Sequence, residues 1–362
     1  MKYVEEYRDA ELGKKLLERI RHRSRKPARL MEFCGGHTVA IFKHGLRQLL
    51  PPNIQMLSGP GCPVCVTAAA DLDKAMALGK LPGVIITSFG DMIRVPGSRS
   101  SLQKAKAEGA DVRIVYSAQD AIGIARDNPA KTVVFIGIGF ETTAPTIAAS
   151  VLQSEKEQIK NYCVLSLHKV CPPIMKAILD LGEVRLDGIV CPGHVSAVIG
   201  SRPYQFLADD YHMACAVAGF EFVDILLAID LLVEQIESGR PEVAVPYRRG
   251  VKEGGNPAAL KLMDTVFEVG EADWRGIGIV PDSGLKLRQR YESFDAEKRF
   301  DIKVSPAQEP KGCICGAVLR GVNTPNDCKL FRRTCTPENP VGPCMVSSEG
   351  ACATYYEYGS EK

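Results

Sequence analysis

The stretch Ser58-Gly59-Pro60-Gly61-Cys62-Pro63-Val64-Cys65 decides the fold, because it joins a short apolar run to a helical pattern. Residues 54–57 enter it as a predicted strand, and the alanine-rich residues 67–78 leave it as a predicted helix. Glycine and proline force a tight corner between the two elements. Two thiols then lie at a helix N-terminus, where the dipole and free N–H groups favour thiolates. Such a pair suits thiol–disulfide exchange or a soft metal; a turn with two incidental buried cysteines is the alternative.

The same arrangement, an apolar run followed by a glycine- or proline-containing corner, recurs along the chain. The corners that carry reactive side chains are Cys34-Gly35-Gly36-His37-Thr38, Gly139-Phe140-Glu141-Thr142-Thr143 and Pro192-Gly193-His194-Val195-Ser196. Apolar runs separated by helical segments predict parallel strands that are buried on both faces. Ligands of such sheets bind beyond the carboxyl ends of the strands, so we expect the corners to line one cleft. Turns need Gly and Pro in any case, but that need does not explain the Cys, His and Glu beside them.

This alternation predicts an α/β protein with two parallel-sheet, Rossmann-like domains that face each other across a cleft. A chain of 362 residues exceeds one hydrophobic core, so several domains are expected. We place the first domain at residues 1–125, the second at 126–250, and a linker helix with a small irregular iron–sulfur domain at 251–362. Residues 205–238 read as one helical stretch, and Thr38 is the expected N-cap of the helix after Cys34.

Composition narrows the function classes. Apolar residues make up 45% and charged residues 24%, as in ordinary globular proteins. A net charge of +2 gives no broad electrostatic footprint for nucleic acid or an acidic membrane. Residues 1–29 are heavily charged and lack the apolar core of a signal peptide. Residues 132–153 carry one charge but are broken by two glycines and Pro145, which favours a buried strand and helix over a membrane span. We expect a cytoplasmic protein.

Thirteen cysteines, mostly in closely spaced motifs, favour metal and redox chemistry in a reducing compartment. Six of them lie in a C-terminal tail that starts near residue 311: Cys313, Cys315, Cys328, Cys335, Cys344 and Cys352. Regular structure is sparse there, so cross-linking by metal or sulfur is expected. The wide spacing favours a [4Fe-4S] cluster on four thiolates, which leaves two thiols as a redox pair. Zinc and plain disulfides are the alternatives, disfavoured by the lack of Cys-x-x-Cys knuckles and by the compartment. Cys163 and Cys215 are predicted core residues.

Taken together, these motifs resemble those of the HypD family, the maturation factors of [NiFe] hydrogenases. The four corners and the cysteine-rich tail occur in the family's order over nearly the whole chain. The resemblance implies a scaffold on which an iron bearing two cyanides and one carbon monoxide is assembled. It implies a HypC-like small chaperone that shares the iron and a HypE-like partner that donates cyanide through a thiocyanate. Neither a nucleic acid nor a membrane is among the implied partners.

The resemblance also implies roles for individual cysteines. In the family, Cys34 corresponds to the iron-binding thiolate, and Cys62 and Cys65 to a redox or metal-ligand pair. The cluster surroundings in the family are similar to those of ferredoxin–thioredoxin reductase. By that analogy we assign the cluster to four thiols, and the thiol pair beside it to Cys315 and Cys344. The four cluster thiols are Cys313, Cys328, Cys335 and Cys352.

Attaching cyanide from a thiocyanate needs electrons, which clusters deliver singly and dithiols in pairs. The candidates for supplying protons and hydrogen bonds to the cyanide nitrogens are His37, Glu141, Thr142, Thr143 and His194. Glu141 is equally well explained as a carboxylate at a helix N-terminus. We expect Cys62 and Cys65 to lie nearest the tail, and Cys34 to face them across the cleft.

The predicted protein is thus a maturation scaffold with redox activity rather than a conventional turnover enzyme. The alternative is a stand-alone iron–sulfur-dependent dithiol reductase. That enzyme accounts for the tail and for the Cys62/Cys65 pair. It gives no role to Cys34 or to the Glu and His corners.

Overall fold

The computed structural model describes residues 4–359. Its α-helices are α1 (Ala10–Arg23), α2 (Gly35–Lys43), α3 (Leu46–Leu49), α4 (Pro63–Val66), α5 (Ala69–Gly79), α6 (Leu102–Ala107), α7 (Ala118–Asp127), α8 (Ala144–Lys156), α9 (Cys171–Leu181), α10 (Gly193–Ile199), α11 (Gln205–Asp209), α12 (Phe222–Ser238), α13 (Pro257–Val266), α14 (Ala296–Arg299), α15 (Cys315–Leu319) and α16 (Ala351–Tyr358). Its strands are β1 (Ala28–Glu32), β2 (Ile54–Ser58), β3 (Val84–Ser88), β4 (Asp111–Ile114), β5 (Thr132–Gly137), β6 (Tyr162–Ser166), β7 (Gly188–Pro192), β8 (Ala214–Ala218), β9 (Val243–Ala244), β10 (Phe267–Trp274) and β11 (Gly278–Leu287).

The strands form two parallel sheets and one antiparallel hairpin. The first sheet has the order β2-β1-β7-β8-β9 and the second the order β4-β3-β5-β6. Every pairing within these two sheets is parallel, whereas β10 and β11 pair antiparallel. The predicted α/β class with two parallel sheets is therefore confirmed.

The division expected at residue 125 is wrong, because the second sheet takes strands from both sides of it. Strand β3 pairs directly with β5, and β1 pairs with β7. The chain thus begins the first sheet, builds the whole second sheet, and returns to finish the first. Such long-range pairing is set by packing and not by local sequence, so the alternation of elements cannot reveal it.

The third predicted unit, 251–362, is also not one body. Helix α13 and the β10–β11 hairpin pack on the second sheet, where Val266, Phe267 and Leu285 share a core with Val133. The cysteine-rich tail is consequently a smaller segment, from about residue 311 onward. Up to residue 359 this segment has no separate core, because its Cys344 and Met345 join the core cluster that both sheets share.

Residues 205–238 hold a strand that the sequence pattern does not show. They contain the short helix α11, strand β8 and helix α12. Strand β8 is an alanine-rich segment that pairs with β7 on one side and β9 on the other, and each of its residues is buried. Alanine favours helices, but a fully buried position between two strands overrides that weak preference.

No helix within residues 4–359 is both long and apolar enough to cross a membrane. The apolar residues 132–153 form strand β5 and part of helix α8, as predicted.

Candidate functional site

The site lies where the carboxyl ends of parallel strands meet. Cys34 follows β1, and Cys62 lies in the corner after its neighbour β2. Gly35 N–H donates to Gly61 O at 3.1 Å, so the two corners touch. A Cβ on Gly61 would lie 2.5 Å from the Cα of Cys34, which leaves glycine as the residue that fits. Cys34 and the cysteine pair are therefore side by side on one sheet, and the expectation that they face each other across a cleft is wrong.

A buried carboxylate shapes the Cys34 corner. Glu32, the last residue of β1, accepts the Cys34 N–H on Oε2 at 3.1 Å. Its Oε1 accepts the Thr38 hydroxyl in a short hydrogen bond. Because that hydroxyl is already used, Thr38 is not an N-cap; helix α2 begins one residue after Cys34, which occupies the N-cap position. Glu32 was not among the predicted site residues, because its carboxylate lies within an apolar run.

Burial controls the ionisation of this corner. Cys34 is only 8% exposed, and burial raises the pKa of its thiol to about 12, with Glu349 and Glu32 adding repulsion in the same direction. Burial likewise raises the pKa of Glu32 to about 8. The thiolate expected at a helix N-terminus is therefore not formed in this closed state, because desolvation outweighs the dipole.

Two predicted histidines lie against one aromatic ring. His37 and His194 stack on Phe220, with ring centroids 4.6 and 3.8 Å away. His37 Nε2 donates to the carbonyls of Ala218 and Gly219, at 3.2 and 3.0 Å. Its Nδ1 is therefore the unprotonated nitrogen, and it is buried without a partner. Burial lowers the pKa of His37 to about 4, so the ring is neutral near pH 7.

The Glu141 corner joins the site from the second sheet. Glu141 Oε1 accepts the Cys171 N–H at 2.9 Å, and Oε2 is buried without a partner. Burial raises the pKa of Glu141 to about 7. The Cys171 thiol is near enough to both Glu141 and Cys34 for their charges to raise its pKa further, after the larger effect of its own burial. Cys171, which the sequence left unassigned, thus lies between the two corners.

The contacts of the two threonines after Glu141 differ from those that their predicted role would require. Thr143 donates its hydroxyl to the carbonyls of Ile138 and Phe140, at 3.0 and 3.3 Å, and so closes its own turn. Gly139 in that turn has φ +136°, where a Cβ would meet the Thr143 side chain. Thr142 is exposed. Thr143 is therefore a loop-closing residue, and no contact in the described chain brings Thr142 to the buried corners.

The cysteine pair is in contact with the tail, as predicted. Cys62 is the N-cap of α4, and its Sγ accepts the Cys65 N–H at 3.3 Å. Cys65 is fully buried and donates its thiol to Pro343 O at 3.9 Å. The Cys65 thiol also lies within hydrogen-bonding contact of Cys344. Burial raises the pKa of the Cys65 thiol. Every cysteine of the described chain is a free thiol.

Most of the tail thiols lie around the loop at residues 341–344. Cys344 makes thiol contacts with Cys315, Cys352 and Cys65. A Cβ on Gly342 would lie 2.5 Å from Sγ of both Cys313 and Cys315, so these thiols pack on that glycine. Two further bonds hold the remaining members: the Val341 N–H donates to Cys335 Sγ at 3.4 Å, and Cys328 donates to Gly312 O at 3.9 Å.

Thiols in one irregular segment fit the donor chemistry of an iron–sulfur cluster. In residues 4–359, however, no group of three or more His, Cys, Asp or Glu side chains is already arranged to hold a single metal ion. Cys163 and Cys215, predicted as core, are fully buried, and Cys191 joins them. Phe220 is the main site residue that the sequence did not indicate, since only the sheet order brings it between the two histidines.

The fold and site define a thiol-rich α/β protein whose strand-end cysteines contact a cysteine-rich tail. The family model described as "HypD: Hydrogenase formation hypA family" matches residues 11–359. Among similar proteins, the hydrogenase maturation factor HypD2 of Bradyrhizobium diazoefficiens is 48% identical over 369 residues, covering 99% of this chain and 97% of that protein. The HypD factors of Cupriavidus necator and Rhodobacter capsulatus are 47% and 44% identical, each over 100% of this chain and over 98% and 99% of their own length. This chain belongs to the HypD family, as its motifs predicted.

Proposed function

We propose that this protein is a scaffold in [NiFe] hydrogenase formation, on which an iron ion receives two cyanides and one carbon monoxide. The observation that carries the proposal is the contact between the Cys34 and Cys62 corners, made on one sheet edge and joined to the tail through Cys65 and Cys344. Thiolates suit low-valent iron, which also binds cyanide and carbon monoxide well. The iron is the cargo of this site, and Cys34 is its anchoring ligand, with Cys62 and Cys65 as further ligands or as a redox pair.

The polar groups beside Cys34 have roles in this proposal. The bare Nδ1 of His37 and the free Oε2 of Glu141 are buried without partners, and such groups are stabilised when a ligand supplies a hydrogen bond. Glu141, with its pKa raised to about 7, exchanges a proton near neutral pH. His194 stacks on Phe220 and is itself exposed, which supports a role in donating to a cyanide nitrogen.

The tail has the donor set for a resident [4Fe-4S] cluster, with Cys313, Cys328, Cys335 and Cys352 as its ligands. Such a cluster supplies electrons one at a time. Cys315 and Cys344 remain as a thiol pair; their thiols are in contact with each other, and both also contact that of Cys352. Alanine at Cys328 should bleach the visible absorbance of the purified protein, whereas alanine at Cys344 should leave it. A bleached Cys344→Ala protein would show that this partition of the tail is wrong.

The chain's own thiols connect the tail to the corner by disulfide exchange. Starting from a Cys62–Cys65 disulfide, the Cys344 thiolate attacks Cys65 Sγ, the Cys62–Cys65 bond breaks, and Cys62 leaves as a thiolate. Cys315 then attacks Cys344, forming a Cys315–Cys344 disulfide and releasing Cys65. Two electrons from an external electron-donor protein, together with two protons, regenerate the Cys315/Cys344 pair. The exchange requires contact between sulfurs, and the Cys65–Cys344 contact supports it.

Each cyanide released from a partner's thiocyanate consumes two electrons. The C–S bond breaks, the partner's thiol is regenerated, and the Cys62/Cys65 dithiol becomes a disulfide. The donor in this scheme is a HypE-like protein, and a HypC-like small chaperone shares the iron. We place the assembly in the cytoplasm, with no nucleic acid or membrane, in line with a net charge of only +2.

Infrared spectroscopy of protein purified without air, together with its small chaperone, tests the proposal. We expect bands in the cyanide and carbon monoxide stretching region for the parent protein and for the control Cys163→Ala, whose thiol lies in the core. Cys34→Ala should lack the bands while keeping its fold and the visible absorbance of the tail. Persistence of the bands in Cys34→Ala would overturn the anchoring role.

The Cys65–Cys344 contact also favours a second candidate, a stand-alone dithiol reductase. That enzyme would turn over disulfide substrates and show no cyanide or carbonyl bands. Following the Cys62/Cys65 state by alkylation and mass spectrometry, after reduction without air, tests the connection that both candidates share. Thiols that stay oxidised beside a reduced tail and an intact Cys315/Cys344 pair would show that the connection does not exist.

A further inference from the structure

The last helix of the tail packs directly on the helix that begins at Cys34. Helix α16 carries Cys352 and, one turn later, Tyr355, which is 8% exposed. The Tyr355 ring lies 4.5 Å from the Phe42 ring of α2, measured between centroids. The two helices are thereby joined through an aromatic pair of buried Tyr355 and partly buried Phe42, a contact that stabilises beyond its buried area.

Arg47 ties the same tyrosine to the Cys34 corner. Its Nη1 donates to the Tyr355 hydroxyl at 2.6 Å, and its guanidinium carbon lies 4.6 and 5.0 Å from the centroids of Phe42 and Tyr355. The guanidinium is also near enough to Glu32 to attract that carboxylate. Glu32 in turn holds the Cys34 N–H. A hydrogen bond and ring contacts thus link α16 to Arg47, and the charge of Arg47 acts on the carboxyl group that holds the Cys34 backbone.

The loop that leads into α16 lies over the residue next to Cys34. A Cβ on Gly35 would lie 2.6 Å from the Cβ of Glu349, so that loop covers the glycine closely. Thr354 of α16 donates to Ser348 O at 3.2 Å and holds the loop to its helix. The residue Cys34, next to this covered glycine, is only 8% exposed, so a reagent or an ion cannot reach its thiol freely while α16 stays docked.

We propose that α16 and its preceding loop form a removable cover over Cys34, with Tyr355 and Arg47 as the positioning residues that latch it. The proposal rests on the proposed function, in which Cys34 is the thiol that receives iron, and it adds a step that regulates access to that thiol. Between α2 and α16 the latch consists of the Tyr355–Phe42 pair, the Arg47–Tyr355 hydrogen bond and the stacking of Arg47 on both rings. Other contacts, through Arg332 and Cys352, hold α16 to the rest of the tail. Local opening of such segments occurs at a free energy well below that of global unfolding.

The accessibility of Cys34 under the cover can be measured by alkylation, without supplying the iron cargo. The full chain, purified without air, is treated with iodoacetamide, and the rate of modification of each cysteine is followed by mass spectrometry. Tyr355→Ala should raise the rate at Cys34 by about 10-fold or more, since it removes both parts of the latch. Tyr355→Phe removes the hydrogen bond alone, and Arg47→Gln removes it together with the contacts of the guanidinium with the two rings. Both should raise the rate by a smaller factor than Tyr355→Ala, while Tyr358→Ala, an exposed position on the same helix, should leave it unchanged.

The core thiols of Cys163 and Cys215 are internal controls in every sample. Their rates should stay low in all variants, because a latch affects Cys34 and not the core. A parallel rise at Cys163 and Cys215 would mean general destabilisation and would overturn the proposal. So would an unchanged Cys34 rate in both Tyr355→Phe and Arg47→Gln, whether or not Tyr355→Ala folds. Since no iron is involved, a negative result leaves the infrared test of the proposed function independent.

Discussion

Replacing Gly61 with alanine should separate the two cysteine corners. A Cβ at this position would lie 2.5 Å from the Cα of Cys34, whereas real Cβ contacts are essentially never under 3.0 Å. The nearest backbone atom, Cys34 N, would be only 2.3 Å away, so one backbone must move by about 0.7 Å to restore a separation of 3.0 Å. Gly61 is not among the glycines with a left-handed φ, so the strain comes from this contact and not from the backbone conformation.

The size of the effect follows from what the new methyl group meets. Overpacking typically costs about 1–3 kcal/mol, and the obstacle here is backbone, which cannot rotate away. Alanine also lowers the conformational entropy of the unfolded chain, which offsets about 0.4–1 kcal/mol of this destabilisation. The net expectation is a loss of about 1–2 kcal/mol in the free energy of unfolding, with faster alkylation of Cys34 because the corner that encloses it has shifted.

Urea unfolding of the parent and variant proteins, followed by circular dichroism, measures this loss. The matched control is Gly123→Ala in the interior of α7, where a Cβ would have no atom within 4 Å. That variant should gain about 0.5–1 kcal/mol, because glycine is the poorer helix former. If Gly61→Ala proves as stable as the parent while Gly123→Ala shows its gain, the close approach of the two corners is not a constraint and the reasoning fails.

Two further variants test buried charges. The pKa of Glu141 is raised from an ordinary 4.5 to about 7 in the folded protein. As pH rises, the unfolded chain therefore loses this proton first, and the free energy of unfolding falls by up to about 3 kcal/mol between pH values near 4.5 and 7. Glu141→Gln should lack that share of the pH dependence, as seen in unfolding curves at pH 5 and 8; identical pH slopes in both proteins would contradict it. Asp224 is 2% exposed and bonded by both Nη atoms of Arg249, at 2.6 and 2.5 Å, so Asp224→Asn should cost about 3 kcal/mol or more. Glu253→Gln, which breaks a largely exposed ion pair, should cost under about 1 kcal/mol; equal losses would refute the role of burial.

The sequence predicted the site best where a reactive side chain and a glycine required by the backbone lie in the same corner. Gly61 is needed because a backbone passes next to it, and the neighbouring Cys62 carries the reactive group, so one short motif marks both. The same holds for Cys34 with Gly35, whose missing side chain leaves room for Glu349. Such corners can be read locally, since the turn and the reactive residue lie within a few positions.

Features that depend on sheet order could not be read in this way. Strand β8 looks like helix because its alanines reveal nothing about burial on both faces. Phe220 enters the site only because β8 lies beside β7, which brings the ring between His37 and His194. Thr38 had the right position for an N-cap, but its hydroxyl is bonded to Glu32 across the turn. In each case a long-range contact outweighs the local preference.

Burial at the site has a consequence for how the proposed cargo would enter. With its pKa raised to about 12, ionising Cys34 alone at pH 7 costs about 7 kcal/mol, at 1.36 kcal/mol per pKa unit. A cation that binds the thiolate can offset this cost, because metal binding and proton release are coupled. The thiol therefore stays protonated and weakly nucleophilic until such an ion arrives, since the thiolate is the reactive form. Under the proposed function, uptake of the iron and loss of the Cys34 proton are therefore one coupled step.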